Sequence, residues 1–135
     1  MTTTRRPLKP TREVSERMRR VAIRGTEPEA RVLRIVRQLR IRHTTRTGAL
    51  PGRPDLVFPI QRVAVFVHGC FWHGCPRCYT EPKRNRVWWR EKIAANKRRD
   101  RRKADQLRRI GYRVVTIWEH DGDARVRNRL LTVAG

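Results

Sequence analysis

Two rhythms of apolar residues run along this chain, and between them they place its regular structure. From Thr26 the rhythm is helical. Val32, Leu33, Ile35, Val36 and Leu39 recur at three- and four-residue steps, which predicts a helix reaching about Leu39. Thr26 is a good N-cap, Pro28 falls in the first turn and Glu29 stands at the third helical position. Glu29 also shares the inward face with Val32, Leu33 and Val36, although a capping box accounts for it unaided. The rhythm then shortens. Leu56-Val57-Phe58 and Arg62 to His68 read as two strands joined by the turn that starts at Pro59, a hairpin. In such a hairpin the start of the first strand lies across from the end of the second, so Asp55 and His68 meet at one sheet edge.

A long helix is predicted from Arg86 to Arg109, ended by Gly111. At about 100° per residue, Trp89, Ile93, Asn96, Asp100, Ala104 and Leu107 form one stripe facing the protein. Burying the Asp100 carboxylate costs several kcal/mol, in order of magnitude, unless it is paired. Its partner is either an inward arginine or a histidine that it orients. Tyr112 to Trp118 is a third strand, followed by Glu119 and His120, and after Asp121 the chain is polar and ends in a short Leu-containing tail with a final helical turn. Val14 to Ile23 suggests a short basic helix with Met18, Val21 and Ala22 on one side, and residues 1–12 a flexible, proline-broken basic arm. Residues 13–135 then form a single domain.

Charge changes the picture from fold to partner. The 135 residues carry a formal charge of +22, and the outer faces of the long helix are almost solidly Lys and Arg. So large an excess of one sign repels itself unless a polyanion is present, which points to nucleic acid. Charge reports association only, so a binder without chemistry stays open on this ground. No apolar signal segment follows the N-terminal arginines, and no apolar run approaches a bilayer span, so no membrane partner is expected.

Candidate chemistry gathers in Val63 to Cys78, VAVFVHGCFWHGCPRC. Cys75 and Cys78 form a two-residue-spaced knuckle, and Cys70 lies five residues earlier. Three thiolates need a fourth ligand for tetrahedral zinc. His73 is hemmed in between two of them. His120 arrives from the third strand and closes a loop of roughly fifty residues, so it ties the sheet to the knuckle. The set chosen is Cys70, Cys75, Cys78 and His120, a structural zinc site expected to contribute on the order of 10 kcal/mol. That choice leaves His68 and His73 without a structural task, with Asp55 at the same edge. One acid and two histidines suit phosphodiester cleavage, with Mg²⁺ on the acid and the imidazoles as general acid and base. Hydrogen-bonded core histidines remain the alternative.

PGRPDLVF, VAVFVHGCFWHGC, WWREKIAANKRRD and GYRVVTIWEH together resemble the very-short-patch-repair (Vsr) DNA mismatch endonucleases over about residues 15 to 120. The resemblance implies an α/β, restriction-endonuclease-like fold, a small central mixed sheet flanked by helices, with a structural zinc site. It implies Mg²⁺-dependent nicking of one strand of double-stranded DNA beside the thymine of a T:G mismatch left by 5-methylcytosine deamination. By the same resemblance Asp55 and the backbone carbonyl of Val67 hold Mg²⁺, and His68 and His73 are the catalytic histidines. Glu29 matches an acidic active-site residue, and Asp100 an aspartate supporting a histidine. Phe71, Trp72 and Trp89 match aromatics that wedge into the duplex, where a mispair is the cheapest place to unstack; core packing beneath the knuckle is the other use of Phe71 and Trp72. A monomer is expected, in a bacterial cytoplasm and on the nucleoid when DNA-bound, with mismatch-repair proteins as further candidate partners. Two departures stand out. Better-known members carry histidine at Cys75, cysteine at His120 and the next cysteine one residue before Cys78. They also have threonine at Val67. Ligand types are exchanged, yet the count of four survives.

Overall fold

In the computed structural model, residues 27–134 are described. The basic arm, the helix expected from Val14 to Ile23, the Thr26 cap and the domain boundary at residue 13 lie outside them. Helix α1 spans Glu27–Gln38, strand β1 Leu56–Phe58, strand β2 Val63–His68, helix α2 Arg86–Arg109, strand β3 Arg113–Trp118 and helix α3 Asp123–Ala134. No helix among the described residues is long and apolar enough to cross a membrane.

The sheet is mixed, in the order β1-β2-β3. β1 and β2 are the expected antiparallel hairpin, with Leu56 opposite Val65 and Phe58 opposite Val63. β2 and β3 run parallel, from Val63 opposite Arg113 to His68 opposite Trp118. Parallel neighbours need a long crossover, and α2 supplies it. Because side chains alternate along a strand, the sheet divides its residues between two cores. On one face Leu56, Phe58, Val63, Val65, Val115 and Ile117 pack with Val32, Ile35 and Val36 of α1 and Val126 and Leu130 of α3. On the other, Val57, Ala64 and Phe66 pack with Leu107 of α2. Helices thus cover both faces of a small α/β domain, and each strand reads as a nearly continuous apolar run for that reason.

Three expectations change. The tail after Asp121 is a full helix of 12 residues, its Val126 and Leu130 buried against the sheet. Its sequence, DARVRNRLLTVA, spaces Val126, Leu130 and Val133 four and three residues apart, a short helical stripe that the expectation of a tail overlooked. The third strand begins at Arg113 and not Tyr112, because Tyr112 N–H turns back to Leu107 O at 3.0 Å to close the end of α2. Leu33 and Leu39 are only partly buried, at the margin of the core.

Two glycines hold loops against α2. Gly52, at φ +75°, lies against the Lys103 stem, where an added Cβ would stand 2.6 Å from Cβ and Cγ. Gly74, at φ +59°, lies against Lys97 and Ile93. Only glycine combines that backbone with that closeness, and the two contacts press the loops before Asp55 and after His73 onto the helix that carries Asp100.

Leu107 is fully buried and joins α2 to the sheet. Leu107→Ala is expected to lower unfolding free energy by about 2–5 kcal/mol in denaturant titration. Ile60→Ala, at a site 68 % exposed, should change it by less than about 0.5 kcal/mol.

Candidate functional site

Both sites grow from the ends of β2 and β3. Their parallel register puts His68 beside Trp118, and Glu119 N–H extends the ladder to His68 O at 3.0 Å. The residues after each strand therefore leave the sheet side by side. One chain turns into the knuckle, its turns closed by Cys75 N–H to Cys70 O at 2.9 Å and Tyr79 N–H to Cys75 O at 2.9 Å. The other delivers His120.

The four expected zinc ligands come together, with one ligand atom from each within 4.8 Å of all the others. Nδ1 of His120 stands 3.2 Å from Cys70 Sγ, 3.5 Å from Cys75 Sγ and 3.4 Å from Cys78 Sγ. A zinc with bonds of about 2.3 Å to sulfur and about 2.0 Å to nitrogen at tetrahedral angles separates S from N by about 3.5 Å. These contacts have the dimensions of a coordination tetrahedron, and the Cys₃His donor set suits zinc. Three thiols this close cannot all ionise unaided. Burial pushes the Cys70 thiol up to about 12, the neighbouring thiols adding to it. Burial also opposes ionisation of Cys75, but the backbone N–H groups of Arg77 and Cys78 and the adjoining thiols outweigh it and hold Cys75 below its ordinary value. Cys70 and Cys75 are thus pushed in opposite directions, and a bound divalent cation would supply the charge that lets thiolates share one site.

His73 belongs to a second group, with His68 and Asp100. Its Nδ1 donates to Asp100 Oδ2 at 2.6 Å. A carboxylate only accepts, so Nδ1 carries a proton and Nε2 is the nitrogen left to face the cleft. Burial opposes the charge on Asp100, but the hydrogen bond from His73 and the nearby His73, His68 and Lys103 hold its carboxyl below the usual range. Asp100 is the histidine-orienting residue, not the partner of an inward arginine. Asn96, on the same stripe, donates to Trp72 O at 2.9 Å and binds the knuckle loop to α2.

His68 is buried and stacks on His73, ring centroids 3.8 Å apart and planes 2° from parallel. Trp118 meets it edge-on at 5.3 Å. Burial, with the His73 charge, lowers its pKa to about 4, so His68 is neutral at pH 7. By distance, His68, His73 and Asp100 have the makings of a metal site. The rings argue otherwise. Imidazole lone pairs lie in the ring plane, and two nearly parallel planes send them side by side instead of converging on one ion. Proton transfer is the chemistry this pair supports. It lines a cleft of 490 Å³ that is also bordered by Lys97, Arg101, Lys103 and Arg108, cations placed for a phosphate backbone.

Asp55 stands outside the histidine group. Its Oδ2 accepts Val67 N–H at 2.6 Å, and its own N–H goes to Val65 O at 3.0 Å. In a strand, N–H and C=O of one residue point the same way, so the Val67 carbonyl leaves on the Asp55 side, beyond the end of β1. A carboxylate and a carbonyl at one strand edge are hard oxygen donors of the kind Mg²⁺ takes, so these residues fit that ion. Glu29 is half-buried in the first turn of α1 and is not among the His68–His73–Asp100 group.

The aromatics form one cluster, Phe71 packing on Trp72, Tyr79 and Trp89 at 5.1 to 5.7 Å. Phe71 and Trp72 keep exposed surface. Trp89 is 3 % exposed, behind them, and packs also on Trp88 at 4.7 Å. This narrows the expectation for Trp89: its ring supports the two others and presents almost no surface itself.

Residues flanking His120 escaped the sequence reading. Glu119 Oε1 accepts Cys70 N–H at 2.6 Å, and the buried Asp121 lies 3.5 Å from His120 Nε2. The signal available was acidic residues on both sides of a candidate ligand in a chain poor in acids.

The family described as DNA mismatch endonuclease Vsr matches residues 9–80. The type II nicking enzyme V.XorIIP of Xanthomonas oryzae pv. oryzae is 40 % identical over 121 residues, covering 84 % of this chain and 88 % of the relative. DNA mismatch endonuclease Vsr of Escherichia coli is 39 % identical over 107 residues, 78 % of this chain and 68 % of that protein. The type II nicking enzyme V.NaeI of Lentzea aerocolonigenes is 38 % identical over 102 residues, 72 % and 61 % of the two chains.

Cys75→Ser should lose zinc, read by elemental analysis, and unfold by circular dichroism, whereas His73→Ala should keep both zinc and fold. The lowered pKa of His68 also has a stability consequence. Its neutral form is favoured in the folded state, so the contribution is complete above the unfolded value of about 6.5 and is lost as pH falls towards about 4. Between those limits the wild type should lose up to roughly 3 kcal/mol more than His68→Gln in parallel denaturant titrations.

Proposed function

This chain belongs to the Vsr family and is a DNA mismatch endonuclease, and from that premise we propose that it nicks one strand of duplex DNA beside the thymine of a T:G mispair in a Mg²⁺-dependent reaction. The observation that carries the chemistry is the 2.6 Å contact of His73 with Asp100 beneath the stacked, neutral His68. His68 ends the strand on which Val67 meets Asp55. We also assign the sheet and its flanking helices to the restriction-endonuclease-like fold, which rests on the family. One active site suffices for one nick, so the proposed working form is a monomer.

Each residue then has a task. Asp55 and the Val67 carbonyl would hold Mg²⁺, which when bound polarises the scissile phosphate and acidifies its water. His68, neutral at pH 7, accepts the proton of the attacking water. His73, oriented through Nδ1 by Asp100, places Nε2 towards the leaving oxygen and supports its protonation. Two stacked imidazoles this close resist a second positive charge, so one proton shared between them suits a base and an acid acting in turn. Phe71 and Trp72 enter the stack at the mispair, backed by Trp89. Lys97, Arg101, Lys103 and Arg108 receive phosphates along the cleft. The acidic Glu29 is assigned to the same active site on family grounds.

The test uses matched and T:G duplexes, each with Mg²⁺ or EDTA, with products resolved strand by strand. Mg²⁺-dependent nicking confined to the T strand of the mismatch is expected. Equal cutting of both duplexes would replace this reading with a nuclease lacking mismatch preference, and binding without product would replace it with a DNA-binding protein. Asp55→Asn is expected to reduce nicking by about a hundredfold or more while sparing duplex binding in a gel-shift assay. Normal cleavage by that variant would show the metal site to be elsewhere.

A further inference from the structure

Asp121 is nearly inaccessible, at 3 % exposure, in a chain with a charge of +22 and few carboxylates to spend. Its two oxygens face different ways. Oδ2 accepts Trp118 N–H at 2.9 Å and so closes the turn after β3. Oδ1 lies 3.5 Å from His120 Nε2. The only other partner of Oδ1 among the described residues is Arg125 Nε, also at 3.5 Å, on a side chain 66 % exposed. The Arg31 guanidinium binds the Asp121 carbonyl from α1 and Asp123 Oδ1 at 3.0 Å, which fixes the segment from behind.

An imidazole ligand has an ambiguity that a thiolate lacks. His120 can carry its proton on either nitrogen, and only the tautomer with Nδ1 bare can bind a metal between the three sulfurs. A carboxylate beside Nε2 selects that tautomer, because it accepts from Nε2–H and repels a bare lone pair there. We propose that Asp121 is a positioning residue for the zinc site: its carboxylate holds the proton of His120 on Nε2, turns Nδ1 towards Cys70, Cys75 and Cys78, and raises zinc affinity. The proposal rests on the Cys₃His reading of the zinc site. It adds a device that a site closed by a fourth cysteine would not need. Trp118, whose N–H shares this carboxylate, also stands edge-on to His68, so the same residue joins the zinc end of β3 to the wall of the cleft.

The test is a double-mutant cycle on the full chain, with zinc affinity measured by competition with a chromophoric chelator. Asp121→Asn keeps an acceptor for Trp118 N–H and removes the charge facing His120. It should weaken zinc binding about 10–100-fold and shift the visible d–d bands of the Co²⁺-loaded protein. His120→Cys supplies a ligand with no tautomer to select, so in that background Asp121→Asn should change zinc affinity less than about threefold. Equal losses in both backgrounds, or failure to fold in both, would make Asp121 a turn-closing residue only and overturn the proposal. Unchanged affinity in the single variant would do the same. A wild-type chain that binds no zinc would remove the Cys₃His reading and the proposal together, an outcome distinct from the others. Long-range ¹H–¹⁵N spectra of the zinc-loaded wild type give an independent reading: a proton on His120 Nε2 is expected, and zinc on Nε2 would refute the assignment.

Discussion

The parallel pairing of β2 with β3 is the constraint from which both sites follow. Register alone puts His68 beside Trp118, so two segments far apart in sequence leave the sheet as neighbours. One is short of a ligand and the other brings it. The same pairing sets His68 between Trp118 and the incoming His73. A shift of the register by one residue would turn His68 to the opposite face and separate His120 from the knuckle. Neither site tolerates that.

The two sites divide the labour by donor chemistry. Sulfur and imidazole gather where rigidity is needed. Carboxylate, carbonyl and imidazole gather where the proposed reaction would handle a proton and a phosphate. The knuckle loop joins them, since it contains both Cys70 and His73. Asn96 binds this loop to α2 through Trp72 O, and Gly74 allows the close approach that brings His73 to Asp100. The zinc end thereby holds one member of the histidine pair in place, and the long helix holds the carboxylate that orients it.

Charge works on a different length scale. The helix that buries Leu107 also points Lys97, Arg101, Lys103 and Arg108 at the cleft. Self-repulsion of so basic a chain is relieved when DNA binds. The ligand therefore contributes to the stability of the protein that cuts it, and the grip weakens as salt screens it.

The order of secondary elements from α1 to β3, the hairpin, the inward stripe of α2 and the division of histidines between two sites were readable from sequence, because each depends on periodicity or on close spacing. Cys70, Cys75 and Cys78 declare a knuckle locally, and crowding alone argues that His73 is not their partner. Other features depend on what meets what across the sheet. Asp100 could orient a histidine or pair with an arginine until Gly74 set the distance to His73. Trp89 lies on the inward stripe of α2 in sequence, but that it sits beneath Phe71 and Trp72 is decided by packing. Helix α3 shows a stripe of two turns, Val126, Leu130 and Val133, and its burial is decided by the sheet it meets. The reach of Asp121 to His120 is set by the turn after β3. Sequence determined which groups are present and the local rhythm that carries them. Tertiary structure decided which lone pairs converge, because convergence is a property of strand register and ring orientation, and neither is written in the spacing of residues along one chain.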